Sequence, residues 1–214
     1  MTDKDVISKF DHTILNVDMT ERGIDELCKE AVLYGTASVC IPPCYVSRAK
    51  NNLNGSGIKV CTVIGFPNGY STTESKVFEC EQAVKLGADE IDMVINVSQL
   101  KSGNYGYVQS EIKLVREACL GKTLKVIVET GALTESEKRT VLEIVTVSGA
   151  DYIKTSTGFG FGGATEADVR LFSELSQGRI KVKASGGIRS ITEAHKMIKS
   201  GADRIGESSA LKNP

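Results

Sequence analysis

"GADEID" at 87–92, "GADYIK" at 149–154 and "GADRIG" at 201–206 share Gly-Ala-Asp with Ile at the fifth position, and "GTASVC" at 35–40 is a looser copy. In each, a glycine suited to closing a helix is followed at once by a β-prone run, which is the junction of a β/α unit. The sixth position is Cys40, Asp92, Lys154 and Gly206 in turn, so these four residues are expected at equivalent places on four strands.

Working outward, short β-branched runs recur along the chain: "ASVCI" (37–41), "IKVCTVIGF" (58–66), "EIDMVIN" (90–96), "LKVIVET" (124–130), "DYIKTS" (151–156), "IKVKAS" (180–185) and "DRIGES" (203–208), with "DHTIL" near the N-terminus as a candidate eighth. Between them the apolar residues follow a helical period, as in Ile24, Leu27, Cys28 and Ala31, or Val108, Ile112, Val115 and Cys119. Capping boxes are expected at Ser71 with Glu74, Thr134 with Glu137 and Ser190 with Glu193, where a hydroxyl and an acid satisfy free amides at a helix start. Eight β/α units in 214 residues predict an α/β fold, a (β/α)8 TIM barrel forming one domain over 1–214. An open doubly wound sheet is the competing architecture. The barrel is preferred because ligand-like features recur at many strand ends and no Gly-x-Gly-x-x-Gly turn follows the first strand.

Composition excludes several classes of function. The net charge is -1, with acids and bases interleaved, so no basic stripe awaits nucleic acid and no polybasic segment awaits a membrane. The opening "MTDKDVISKFDHT" lacks the apolar core of a signal peptide, and no run approaches the roughly 20 apolar residues of a membrane span, so a cytoplasmic protein is expected. The 6 cysteines form no C-x-x-C pair and are expected as free thiols. Only 2 histidines are present: His12 is expected in the core and His195 on the surface, and no metal site is expected.

Alternation along a strand places Asp92 opposite Ile91 and Met93, Lys154 opposite Ile153, and Lys183 opposite Val182 and Ala184. If the aliphatic residues face the helices, the three charges face the barrel interior. A buried ion-pair network would explain them, although a salt bridge needs only one lysine. Two lysines suggest a specific chemistry. A free lysine, with pKa about 10.4, is neutral roughly once per thousand molecules at pH 7, only the neutral amine attacks a carbonyl, and a second cation nearby lowers that pKa. Lys154 as Schiff-base former, Lys183 as its perturber and Asp92 as positioner or proton relay make a coherent set. The stretches "STGFGFGG" (156–163), "SGGIR" (185–189) and "GESS" (206–209) each follow a strand and offer backbone amides for a phosphate, unless they are plain tight turns.

"DHT" (11–13), "EIDMVIN", "KTSTGF", "KASGGIR" and "GADRIG-x-SS", in this order and over nearly the whole chain, resemble the deoxyribose-phosphate aldolases. The resemblance implies a metal-free, cofactor-free Schiff-base aldolase on a (β/α)8 barrel, interconverting 2-deoxy-D-ribose 5-phosphate with acetaldehyde and D-glyceraldehyde 3-phosphate. It implies Lys154 as the Schiff-base lysine, Lys183 as the neighbouring cation and Asp92 as the acid/base partner. It further implies Gly158, Gly186, Gly187, Gly206, Ser208 and Ser209 at the phosphate, and Thr157, Asp11 and Thr13 at the sugar. The expected partner is a small-molecule sugar phosphate, with no nucleic acid or membrane, and a homo-oligomer paired through outer helices is expected. Glu207 stands where the family commonly has a small residue or threonine, and it would oppose the phosphate unless alternation turns it away. The sequence also stops at Pro214, without the longer tail ending in tyrosine of some members, so any role of such a tail in proton transfer is expected to be absent or supplied otherwise. Another lysine-dependent sugar-phosphate barrel enzyme, such as a transaldolase-like protein, and a non-catalytic sugar-phosphate sensor are the alternatives. The intact Asp92, Lys154 and Lys183 argue against the sensor.

Overall fold

The computed structural model describes residues 1–211 of the 214. The chain begins with α1 (Asp3–Ile7), β1 (Phe10–Thr13), α2 (Glu21–Tyr34), β2 (Ser38–Ile41), α3 (Val46–Asn52), β3 (Lys59–Ile64) and α4 (Thr73–Lys85). It continues through β4 (Glu90–Val94), α5 (Val97–Lys101), α6 (Tyr105–Ala118), β5 (Thr123–Ile127), α7 (Glu135–Val147) and β6 (Tyr152–Lys154). It closes with α8 (Glu166–Ser176), β7 (Lys181–Ser185), α9 (Ile191–Lys199) and β8 (Arg204–Glu207). The strands pair in parallel in chain order, and β1 meets β8 with Asp11 opposite Gly206, which closes the barrel. The fold is therefore the (β/α)8 barrel, and "DHT" belongs to its first strand.

Each copy of the repeat is a clip between a helix end and two strands. Gly35, Gly87, Gly149 and Gly201 have φ of 71°, 106°, 80° and 108°, the left-handed region that a side chain would strain. Past the glycine the next amide reaches back to the helix, Ala88 N to Ala83 O at 3.0 Å and Ala202 N to Met197 O at 3.0 Å. The aspartate that follows accepts from the start of the preceding strand. Asp89 Oδ2 takes Val60 N at 3.0 Å, Asp151 Oδ2 takes Leu124 N at 2.8 Å, and Asp203 Oδ2 takes Val182 N at 2.9 Å. The recurring Gly-Ala-Asp thus sets the stagger of neighbouring strands, on which barrel closure depends.

The helices bury the faces their periodicity predicts, Ile24, Leu27, Cys28 and Ala31 on α2 and Val108, Ile112 and Val115 on α6. They pack on the outward strand residues Ile91, Met93, Ile153, Val182 and Ala184, all in the main apolar core. A separate apolar cluster of Cys40, Cys61 and Val63 lies inside the ring. Of the three expected capping boxes, Thr134 with Glu137 forms reciprocally. At Ser190 only half forms, because the Glu193 carboxylate takes Arg189 N at 2.6 Å instead. The box at Ser71 is corrected: Thr72 caps α4 and accepts from Ser75 N, since it is Thr72 that has the extended backbone (φ -62°, ψ 156°) at the helix entry. Among the described residues, no helix is long and apolar enough to cross a membrane.

Replacing Asp203 with Ala removes the acceptor of Val182 N and should lower the unfolding free energy by about 1–2 kcal/mol, while Asp203→Asn should retain most of it. Urea denaturation of the two variants measures this directly.

Candidate active site

Strand alternation turns Asp92, Lys154 and Lys183 into the barrel, and the structure brings all three together. Asp92 Oδ2 accepts from Lys154 Nζ at 2.8 Å and from Lys183 Nζ at 2.6 Å. Its other oxygen, Oδ1, accepts from Lys125 Nζ at 2.8 Å and lies 3.2 Å from the Cys61 thiol. Lys125 continues to Glu90 at 2.5 Å, and Arg204 joins Glu90 at 3.3 Å to Asp11 at 2.6 Å. Asp11 in turn holds Lys183 and receives the Ser38 hydroxyl at 2.6 Å. Four cations therefore share three carboxylates inside the ring, so this cluster can lose one proton without leaving a carboxylate uncompensated.

The electrostatics follow from the contacts. Burial alone would raise the Asp92 carboxyl, but Lys125, Lys154 and Lys183 outweigh it and hold the group well below the usual carboxylate range. Burial likewise opposes charge on Lys183, and Asp11 and Asp92 overcome it and hold the ammonium above its ordinary value. Lys125 is held up in the same way. Burial pushes the Cys61 thiol well up, which suits an S–H that donates to Asp92. Two groups of ligand type, Cys40–Cys61–Asp92 and Asp11–Cys61–Glu90, lie within metal-binding reach of each other. Their carboxylates are already taken by ammonium and guanidinium groups, which a divalent cation would have to displace.

Lys154 is the member of this network that reaches a cavity, of about 250 Å3, at the C-terminal ends of the strands. Thr13, Thr157 and Gly158 form part of its wall, facing Gly186, Gly187, Gly206 and Ser208. Gly186 has φ of 84°, and a Cβ there would meet the backbone of Gly158 and Gly163 within 3.3 Å, so the loops after β6 and β7 pack main chain against main chain. Lys183 and Asp92 lie beneath the floor, with no exposed surface. Asp11, expected at the sugar, is instead fully buried in the ion network below Lys183, because its place on β1 points it at Arg204 rather than at the cavity. Ser209 lies one residue beyond the wall. A larger groove, of about 620 Å3, runs along α2 on the outer face and contains no strand-end residue.

Sequence reasoning missed Lys125, Glu90 and Arg204, although alternation in "LKVIVET" already turned Lys125 inward. It also missed Arg189, which adds a guanidinium to the cavity wall. Glu207 contributes to that wall, but its carboxylate turns away: Oε1 meets His12 Nδ1 at 2.5 Å and Oε2 accepts Ala210 N at 2.8 Å. His12 Nε2 meets Glu30 at 2.7 Å, so the imidazole is buried between two carboxylates. Burial opposes a charge on the ring, while Glu207 and Glu30 outweigh it and raise His12 above its ordinary value. His195 lies near the surface and pairs with Asp3 at 2.8 Å.

The chain matches the model of the DeoC/LacD family aldolases over residues 5–212. It is 52% identical over 209 residues to a deoxyribose-phosphate aldolase of Clostridioides difficile, covering 98% of this chain and 95% of that one. It is 48% identical over 209 residues to one from Streptococcus agalactiae, covering 98% and 93%. A solved deoxyribose phosphate aldolase from Aeropyrum pernix, described as a unique tetrameric structure, superposes with a TM-score of 0.89 at 33% identity, covering 99% of this chain and 90% of that one.

The raised His12 makes a signed prediction. A group whose folded value lies above its unfolded one stabilises fully below the unfolded value and loses that contribution as pH rises through the folded value. The unfolding free energy should therefore fall as pH is raised from about 6.5, and His12→Gln should remove that part of the slope. Urea midpoints at about pH 6 and about pH 9, for both proteins, check it.

Proposed function

This chain belongs to the DeoC/LacD family of aldolases, and from that premise we propose that it interconverts 2-deoxy-D-ribose 5-phosphate with acetaldehyde and D-glyceraldehyde 3-phosphate through a Schiff base on Lys154. The observation that carries this reading is the Lys154 amine, hydrogen-bonded to a carboxylate shared with Lys183 and set at the floor of a cavity walled by glycine loops.

In its neutral form, Lys154 adds to C1 of the open-chain sugar, and loss of water, protonated through Lys183 and Asp92, gives the iminium. A base takes the proton of the C3 hydroxyl, the C2–C3 bond breaks, and its electron pair flows into the iminium to leave an enamine on Lys154. Glyceraldehyde 3-phosphate departs. Protonation of the enamine carbon and hydrolysis then release acetaldehyde and restore the amine. Asp92 is close to both lysines and so relays protons between them without moving far.

Backbone amides of Gly158, Gly186 and Gly187, with Gly206, Ser208 and Ser209, hold the phosphate, and Arg189 at the wall adds a positive charge. Thr13 and Thr157 face the sugar. Glu207 does not oppose the phosphate, because His12 and the Ala210 amide engage its carboxylate. The enzyme works without a metal, in the cytoplasm, as a homo-oligomer. The exposed Val32 and Leu33 on α2 support pairing through outer helices.

Incubation with acetaldehyde and sodium borohydride, with EDTA present, should leave an ethyl group on Lys154, located by mass spectrometry. Lys154→Leu should abolish the adduct and Lys183→Leu should slow its formation by about tenfold or more, about 1.4 kcal/mol. Equal yields and rates in all three proteins would sink the assignment.

A further inference from the structure

Glu129 has no role in the chemistry above, yet several observations meet on it. It stands just past β5 with φ 54° and ψ 66°, a left-handed conformation that is uncommon and costly for a residue with a Cβ. Its side chain is buried, with 6% of the residue exposed, and Oε1 has no hydrogen-bond partner among the described groups. Its other oxygen, Oε2, reaches the loop after β6 and accepts from Thr157 twice, from N at 3.2 Å and from Oγ1 at 2.6 Å. Gly160 leaves room for this carboxylate, since a Cβ there would lie 3.2 Å from Oε2.

The consequence lies in what Thr157 has left to offer. A hydroxyl has one proton and two lone pairs. The proton is committed to Glu129, whose Oε2 is already acting as an acceptor for the Thr157 amide. One lone pair is taken by Phe159 N at 3.1 Å. Thr157 forms part of the wall of the substrate cavity and of a smaller cavity of about 90 Å3 beside it, to which Glu129 also belongs. Toward a ligand, then, Thr157 can accept a hydrogen bond and cannot donate one.

We propose that Glu129 is a positioning residue that fixes Thr157 as an acceptor-only contact, and so selects phosphorylated aldehydes that carry a hydroxyl on the carbon next to the carbonyl. This rests on the Schiff-base aldolase reading above and extends it to the choice of acceptor. A buried acceptor built for a substrate hydroxyl is left unpaired by an analogue that lacks it, and that difference is the source of discrimination.

The test runs in the synthetic direction, with acetaldehyde as donor and either D-glyceraldehyde 3-phosphate or 3-oxopropyl phosphate, the same aldehyde without the hydroxyl, as acceptor. The wild type should favour the hydroxylated acceptor in kcat/KM. Glu129→Ala should reduce that preference by about tenfold or more, chiefly by raising KM for glyceraldehyde 3-phosphate. Glu129→Gln, whose amide oxygen can accept the same two bonds, should keep it within about threefold. Thr157→Val should lose the preference as Glu129→Ala does, and the double variant should lose no more. The proposal is overturned if the wild type shows no preference, if Glu129→Ala slows both acceptors equally, or if Thr157→Val keeps the preference. Should Glu129→Ala fail to fold, Glu129→Gln and Thr157→Val decide the matter alone. Borohydride trapping of the ethyl adduct on Lys154 in each folded protein separates the two readings. No adduct in the wild type defeats the Schiff base, whereas adducts with unaltered selectivity defeat only the role of Glu129.

Discussion

The carboxylate of Asp92 touches three ammonium groups, and the interior of the barrel is organised around that contact. Unpaired buried charge carries a penalty of several kcal/mol per ion, so no one of Lys125, Lys154 and Lys183 could stand in the ring alone. Together with Asp11, Glu90 and Arg204 they form a network in which every member has an opposite charge within reach. The network governs its neighbours as well. Gly206, at the sixth position of the repeat, has no side chain because a Cβ there would press on Lys183 Cε at 3.2 Å and on Ser185 Cβ at 2.8 Å. Where an ordinary barrel centre is filled by branched apolar residues, this one holds a charge network, with Cys40, Cys61 and Val63 among its apolar members.

The same network separates two demands on lysine chemistry. Lys183 and Lys125 each touch two or more carboxylates and are held as cations. Lys154 shares one oxygen of Asp92 with Lys183 and is the one at the cavity. In the mechanism proposed above, the amine that reacts and the cation that stays protonated sit on adjacent strands, facing each other across one carboxylate. On the same proposal the cavity above needs little charge of its own, because main-chain amides of the glycine loops that wall it would meet the phosphate.

Much of this was legible in the sequence, for identifiable reasons. The Gly-Ala-Asp repeat marks the barrel because glycine and aspartate each do a local job at every copy, one ending a helix and the other capping a strand. Alternation places Asp92, Lys154 and Lys183 inside because their neighbours are aliphatic. The same rule would have placed Lys125 inside, but strand stagger, which decides that it meets Asp92, is a property of the closed ring. Asp11 shows the same limit: the family resemblance implies it at the sugar, and only the pairing of the first strand with the last turns it toward Arg204. Glu129 left no sequence signal at all, since nothing in "VIVETG" announces a left-handed glutamate.

The closure of the ring also has a bearing on how the protein is made. Asp11 finds its partners in Lys183 and Arg204, 172 and 193 residues further along the chain. On the ribosome its carboxylate emerges early, meets Lys125 partway through synthesis, and waits until almost the whole polypeptide has been made before the last of its counter-charges arrive. A nascent chain halted before the last strand would expose an open sheet edge on either side of an interior that still lacks Arg204. Quality control during translation therefore has a long interval in which to act, and the final strand closes the sheet and adds the Arg204 contacts to Asp11 and Glu90 in one step.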